Sequence, residues 1–158
     1  MTLIPNYLTM AALDLVDSYA ALVLPSLGSG FATFFLRQQF RNLPREYDEA
    51  ALVDGASRLA ILWRITVPLS RPAIAAMAIF QFLSEWTSFL WPLIATTSPE
   101  MRTLETGLAA LYDVAIDDGI VSGPVVMAGA VLVMAPGLLV FALAERHLVR
   151  GVAVGLGR

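Results

Sequence analysis

Residues 44–68 read PREYDEAALVDGASRLAILWRITVP, and the punctuation of this stretch decides the architecture around it. Pro44 suits the first turn of a helix, and Glu46, Asp48 and Glu49 follow where negative charge favours a helix N-terminus. The pattern predicts a short helix through Glu49, Ala50, Ala51, Leu52 and Val53 to Asp54 and Gly55, where glycine can end one helix and turn the chain into another. A second helix is predicted from Ala56 to Val67, stopped by Pro68 and then Pro72. In it Leu59, Leu62, Trp63 and Val67 recur at three- and four-residue spacing, so one face buries while Arg58 and Arg64 stay wet or meet lipid phosphates. Two short helices meeting at Gly55 form a knob, a shaped surface suited to another protein.

On either side the sequence turns apolar. Residues 18–36 carry no charge, and as a helix they reach roughly 28 Å against a hydrocarbon core of roughly 30 Å. A second block, Pro72 to Pro99, is interrupted only by Glu85, and a third, Gly119 to Ala144, carries no charge. Transmembrane helices are therefore expected at 18–36, 72–96 and 122–144. Residues 1–13 are uncharged but too short to cross, so 1–17 reads as the end of a truncated helix or an interfacial segment, and its lack of an arginine-led start argues against a signal peptide. The expected fold class is an all-α membrane protein with at least three transmembrane helices.

Charge orients the spans. The stretch 37–71 holds Arg37, Arg41, Arg45, Arg58, Arg64 and Arg71, and the tail 145–158 holds Arg146, Arg150 and Arg158, so both are expected in the cytoplasm. The stretch 97–121 sets Arg102 against Glu100, Glu105, Asp113, Asp117 and Asp118, and 1–17 has only Asp14 and Asp17, so both are expected outside. An external N-terminal side implies an odd number of helices upstream.

Composition agrees with a bilayer. Apolar residues make up 58% and charged residues 15% of the 158-residue chain, with mean hydropathy +0.72, against about 45–50% and about 25% in soluble domains. There is no cysteine for a disulfide or thiolate metal site, and a net charge of −3 offers nucleic acid no basic field. All ten basic residues are arginine, so the lysine of a Walker A loop is absent and ATP, if used, is bound by another chain.

Small residues four apart, Ser26 with Gly30, Gly28 with Ala32 and Ser29 with Thr33, predict close helix approach in the first span. Pro25, Pro92 and Pro136 are placed to bend helices whose neighbours satisfy the freed carbonyls. Tyr19 and Trp91 fall at the expected outer interface as aromatic anchors.

Glu49-Ala50-Ala51, two residues, Asp54-Gly55, nine residues, then Ile65-Thr66-Val67-Pro68 resembles the EAA loop of binding-protein-dependent ABC importer permeases, with Val67 where leucine is usual. Phe34-Phe35-Leu36-Arg37-Gln38, Leu43-Pro44 with Glu46, Trp86 with Phe89-Leu90-Trp91-Pro92-Leu93, and Val149-Arg150-Gly151 are similar to carbohydrate-type members, especially the shorter permease of maltose-like systems. Thr87 replaces a common asparagine, and Glu85 stands where a small or neutral residue is frequent. The resemblance covers roughly the C-terminal half of a six-helix permease.

The resemblance implies a multi-pass subunit of the bacterial inner membrane, with loop and C-terminus cytoplasmic. It implies a separate ABC ATPase dimer, a second permease subunit and an extracytoplasmic solute-binding protein as partners, with a sugar-like solute, no cofactor and no catalysis in this chain. Glu49, Ala50, Ala51, Asp54, Gly55, Ile65 and Pro68 would then couple to the ATPase. Small alanines would allow close seating, and Glu49 would meet an arginine of the ATPase. A permease for another solute class, or a non-functional truncated fragment, fits the same residues.

Glu85 is the one charge inside a span, and a carboxylate at that depth is a functional candidate by default. With Ser84, Trp86, Thr87 and Ser88 it is a candidate lining of the solute path, or it faces another helix. No second carboxylate, serine–histidine pair or metal-ligand pair at membrane depth completes an intramembrane enzyme around it. His147 reads as an ordinary interfacial residue, Asp117-Asp118-Gly119 as an external turn, and Gly151 with Gly155 as a flexible tail.

Overall fold

Proline, glycine and serine cut this helical sequence into ten α-helices among the described residues, which in the computed structural model are 2–117 and 123–155, with side chains described at 2–114 and 123–143. In order they are α1 (Leu3–Ala12), α2 (Tyr19–Val23), α3 (Gly30–Arg41), α4 (Arg45–Val53), α5 (Arg58–Ile61), α6 (Val67–Leu69), α7 (Arg71–Trp86), α8 (Leu90–Ala95), α9 (Leu104–Asp117) and α10 (Gly123–Gly155). Contacts divide the chain into two units, 1–28 with 83–139 and 29–82 with 140–158.

In the first unit α1 ends in a paired cap. Asp14 adopts φ 55°, its N–H donates to Ala11 O at 3.1 Å, and the Leu15 N–H donates to Met10 O at 2.9 Å. These two bonds satisfy carbonyls that the helix end would orphan, and aspartate is among the few residues that accept the left-handed conformation. The turn delivers Leu15 and Val16 onto a small core of Met10, Ala21 and Ala95, against which Trp91 also packs. Asp17, at φ 60°, donates its N–H to Ala95 O at 2.9 Å. Its carboxylate accepts from the N–H groups of Thr97 and Ser98 at 2.9 and 3.1 Å and from the Ser98 hydroxyl at 3.1 Å. These donors, the Ser98 N–H first and the Thr97 N–H next, hold the carboxyl below the ordinary range of an aspartate.

Helix α10 supplies the long element of the fold. Val126 and Val133 are buried, Gly129, Ala130, Pro136 and Gly137 are half-buried, and Val125, Met127, Val131, Leu132, Met134, Leu138 and Leu139 are exposed. The inward positions recur every three or four residues, so one stripe packs and the remaining apolar surface suits lipid. A Cβ at Gly129 would stand 2.9 Å from Leu108 Cδ1, and one at Gly137 would stand 3.8 Å from Leu83 Cδ2 and 3.9 Å from Trp86 Cδ1. Close approach therefore occurs at Gly129, while Gly137 sits at ordinary packing distance. At Gly28 and Gly30, where the sequence pattern placed it, an added Cβ would meet no packing neighbour within 4 Å.

The apolar runs are less continuous than their length suggests. Instead of one helix over 18–36, α2 passes into a 3-10 turn at Leu24–Ser26 that contains Pro25, and the helix restarts as α3 after Ser29. The Ser29 hydroxyl accepts from the Ala32 N–H at 3.2 Å, an N-cap that favours a new start over continuation. The block 72–96 is likewise split, with α7 ending at Trp86 and α8 beginning at Leu90. Among the described residues Gly123–Leu143 alone is long and apolar enough to cross a membrane, while Tyr19–Ser26 with Gly30–Arg41, and Arg58–Leu69 with Arg71–Trp86, meet that test only as pairs.

Two further departures concern the acidic stretch and the tail. The stretch 97–121 contains a 3-10 turn at Pro99–Met101 and the 14-residue α9, while Asp118 and Gly119 of the expected turn lie outside the described residues. The tail continues α10 to Gly155 rather than ending in a flexible segment, because no proline interrupts it after Pro136. The side chain of His147 lies outside the described residues.

Candidate functional site

The knob of the second unit is built from capping motifs. Pro44 precedes α4 as its N-cap residue, one position earlier than its sequence reading, and Glu46 and Asp48 occupy the first turn. At the far end Gly55 adopts φ 79°, its N–H donates to Leu52 O at 3.0 Å, and the Ala56 N–H donates to Ala51 O at 2.9 Å. This is the same paired cap that closes α1, here with the residue that enters left-handed space most easily. Two residues later the Ser57 hydroxyl accepts from the Ala60 N–H at 3.3 Å and starts α5. Helix, glycine bend and helix follow as the spacing predicts.

The second arm continues further than expected. A π turn at Leu62–Thr66 joins α5 to α6, and Pro68 lies inside α6 rather than stopping the helix. The wider turn shifts the hydrogen-bond ladder just ahead of a residue with no N–H to offer, so the proline is accommodated. The true corner is Ser70, where the chain turns by 76° into α7. Ser70 is buried, and among the described residues its hydroxyl has no hydrogen-bond partner.

Of the coupling candidates, Glu49, Ala50, Asp54 and Gly55 are exposed, and Ala51, Ile65 and Pro68 are half-buried. Tyr47, Leu52 and Val53 add exposed apolar surface, with Val53 88% accessible. Helix α4 thus presents an acidic and apolar surface on almost every side, held by caps rather than by burial.

The solute-path candidates fall in the first unit, at the end of α7. Glu85 is exposed and Trp86 half-buried, and the chain then leaves the helix through Thr87 and Ser88. Thr87 donates both its N–H, at 3.1 Å, and its hydroxyl, at 2.9 Å, to Leu83 O, and the Ser88 N–H donates to Glu85 O at 3.1 Å. The break is therefore a closed turn whose last carbonyls are largely satisfied. The Trp86 indole N–H donates to Val133 O on α10 at 2.9 Å, which fixes that ring as a packing group. Beyond the break is a cleft of about 360 Å³ that composition did not reveal, lined among others by Phe89, Thr97, Arg102, Thr106 and Asp113.

Trp91 also differs from its sequence reading. Its indole N–H donates to Ala21 O at 3.0 Å, so the polar tip is used inside the chain rather than offered to a headgroup. Tyr19 remains exposed. Among the described residues no group of three or more histidine, cysteine, aspartate or glutamate side chains is arranged to hold a metal ion.

Relatives match along nearly the whole of this chain. The arabinooligosaccharides transport system permease protein AraQ of Halalkalibacterium halodurans is 37% identical over 160 residues, covering 97% of this chain and 53% of AraQ. The sn-glycerol-3-phosphate transport system permease protein UgpE of Pectobacterium atrosepticum is 39% identical over 147 residues, covering 93% of this chain and 52% of UgpE. The chain thus spans about half the length of the curated relatives it matches. A chain in the crystal structure of a bacterial ABC transporter involved in the import of the acidic polysaccharide alginate superposes with a TM-score of 0.66 at 25% identity, over 98% of this chain and 56% of that one. The model of the family "Binding-protein-dependent transport system inner membrane component" matches residues 4–154, nearly the whole sequence. By that match, which encloses the capped helix–glycine–helix knob, the chain belongs to this family of inner-membrane transport components.

Proposed function

We propose that this chain forms part of the transmembrane path of an ATP-driven importer for a sugar or polyol, and that it couples to a separate ATPase through α4. The observation that carries the reading is the exposure of α4. A nine-residue helix with Tyr47, Leu52 and Val53 uncovered buries too little to be stable by itself and is suited to a groove in a partner. Glu46, Glu49 and Val53 lie three and four residues apart, so one face offers two carboxylates and an apolar end. A guanidinium of the ATPase at Glu49 would add a charge-assisted, directional contact.

Coupling then follows from stiffness. Closure of an ATPase dimer on ATP displaces α4, and the paired cap at Gly55 with the Ser57 N-cap passes that displacement into the second arm instead of absorbing it. Through Ser70 the movement reaches α7, whose outer end breaks at Thr87–Ser88. Glu85, Thr87 and Ser88 at that break offer oxygen atoms to sugar hydroxyls. Phe89, with Thr97, Arg102, Thr106 and Asp113 in the neighbouring cleft, offers the mixture of aromatic face and polar groups that polyhydroxylated solutes require. The matched relatives are named for arabinooligosaccharides and for sn-glycerol 3-phosphate, both rich in hydroxyls. A second permease subunit, a binding protein delivering solute outside, and a cytoplasmic position for α4 and the end of α10 complete the assembly.

The test is charge reversal at Glu49 in the assembled transporter. Glu49→Arg is expected to reduce ATPase co-purification or to uncouple hydrolysis from uptake, with unchanged membrane levels of the chain. Wild-type values for both would remove Glu49 from the contact.

A further inference from the structure

The three arginines nearest the knob share a cleft that the coupling reading leaves unused. Arg37 and Arg41 stand four residues apart at the end of α3, and so on one face, and Arg45 opens α4 just past the turn. Together with Asp48 they rim an open cleft of about 690 Å³ whose floor is apolar, formed by Leu36, Phe40 and Leu43. The floor residues are half-buried and the arginines exposed. Three guanidinium groups against one carboxylate leave a local charge of +2, and among the described residues no ion pair neutralises Arg37, Arg41 or Arg45.

The same helix shows where this cleft lies relative to lipid. Phe31 and Phe34 are 58% and 62% exposed, a large apolar surface one to three turns before the arginines. At 1.5 Å per residue, Arg41 sits about 10 Å beyond Phe34 along α3. If those rings lie in hydrocarbon, the guanidinium groups stand at headgroup depth. A flat basic surface would attract any anion, whereas an apolar floor beneath a guanidinium rim suits an amphiphile, with phosphate on the rim and glycerol and acyl carbons on Leu36, Phe40 and Leu43.

We infer that the Arg37–Arg41–Arg45 cleft binds the phosphate of an anionic phospholipid and thereby ties the end of α3 to the first turn of α4. Arginine suits this role because its planar fork meets two phosphate oxygens at once. Occupancy bridges the segment entering the membrane and the helix offered to the ATPase, so lipid composition would set how firmly the knob is held. The inference rests on the reading of this chain as membrane-spanning, but it does not require an ATPase to be present.

The full chain in detergent is titrated with cardiolipin and, separately, with phosphatidylcholine, and bound lipid is read by native mass spectrometry. Saturable cardiolipin binding is expected, weakened about fivefold by each of Arg37→Gln and Arg41→Gln. Arg64→Gln, outside the cleft, is expected to leave it unchanged. The double variant Arg37→Lys with Arg41→Lys keeps the charge but gives up the fork, so it should bind more tightly than the glutamine variants and less tightly than wild type, which separates loss of the site from loss of the fold. Equal affinity in wild type and both glutamine variants would overturn the inference. Displacement of cardiolipin by millimolar inorganic phosphate would assign the cleft to a soluble anion and also overturn it. If the glutamine variants instead lose ATPase co-purification and keep cardiolipin, the cleft receives an acidic protein surface and the lipid assignment fails. Because the titration uses the chain alone, a negative result at Glu49 in the assembled transporter leaves it untouched.

Discussion

The indole N–H of Trp91 donates to the carbonyl of Ala21 at 3.0 Å, and Ala21 stands four residues before Pro25. A continuous α-helix would pair that carbonyl with the N–H of residue 25, which proline lacks. The tryptophan supplies the missing donor from 70 residues away. Trp86 likewise donates to a carbonyl of a proline-containing helix, Val133 O. There the carbonyl that Pro136 leaves without a helical donor is that of Leu132, so this bond ties α7 to α10 without replacing a lost donor.

Trp91→Phe keeps most of the ring and removes the donor. It is expected to destabilise the chain by about 1–3 kcal/mol, the usual penalty of a buried acceptor left unpaired. Pro25→Ala restores an N–H near Ala21, so the cost of Trp91→Phe should fall in that background. Unfolding curves in detergent for the four members of the cycle give the coupling directly.

Gly55 is constrained by conformation and not by space, since a side-chain carbon added there would meet no packing neighbour within 4 Å. With φ at 79°, Gly55→Ala is expected to cost about 1–2 kcal/mol, and Gly55→Asn less, because asparagine tolerates left-handed backbone. Thermal unfolding should rank wild type, Asn and Ala in that order. The same order is expected for uptake if the bend transmits motion.

The Asp17 carboxyl is held below the ordinary aspartate value of 3.8 by the N–H groups of Ser98 and Thr97. A depressed folded-state pKa stabilises fully above the unfolded value, and this contribution is lost as pH falls through the lower folded value. The clasp between Asp17 and the segment 95–98 should therefore be intact at neutral pH and weaken only below about pH 4. Asp17→Asn keeps an oxygen for the two N–H groups but removes the titration. Stability followed from about pH 6 to about pH 3 should show a steeper acid loss in wild type than in the variant.

Glu85→Gln keeps size and removes charge at the end of α7. If Glu85 meets solute, uptake competition with a panel of sugars should change rank while membrane levels hold. Unchanged ranking in a normally assembled complex would contradict the path assignment. A fall in assembly or thermal stability with ranking preserved would make Glu85 a packing group.

The knob was legible because its determinants are local. Pro44, the acidic first turn and Gly55 each act within four residues of where they stand, and the structure uses all of them, adding at Ser57 an N-cap that the sequence reading did not single out. The membrane class was legible from the length of the uncharged runs, and α10 contains most of the longest of them. Continuity was not legible, because an apolar count does not register that Ser29 can restart a helix or that α7 ends before Phe89. Helix α9 was hidden by its acidic residues, although Leu104, Leu108 and Leu111 recur at helical spacing. The tryptophan donors and the Asp17 clasp pair residues 47 to 81 positions apart, and no single-sequence pattern carries that distance.

The central claim is that α4 seats on an ATPase in the cytoplasm. With no native cysteine, a single cysteine at Val53, the most exposed large apolar side chain of α4, is a unique probe. In the assembled transporter, Val53→Cys is expected to cross-link to the ATPase through a short reagent with a maleimide for the thiol and a photoreactive group for the partner surface, with a yield that changes on addition of ATP. Absence of the cross-link from Val53 and from Tyr47→Cys, in a complex that still transports solute, would contradict the account.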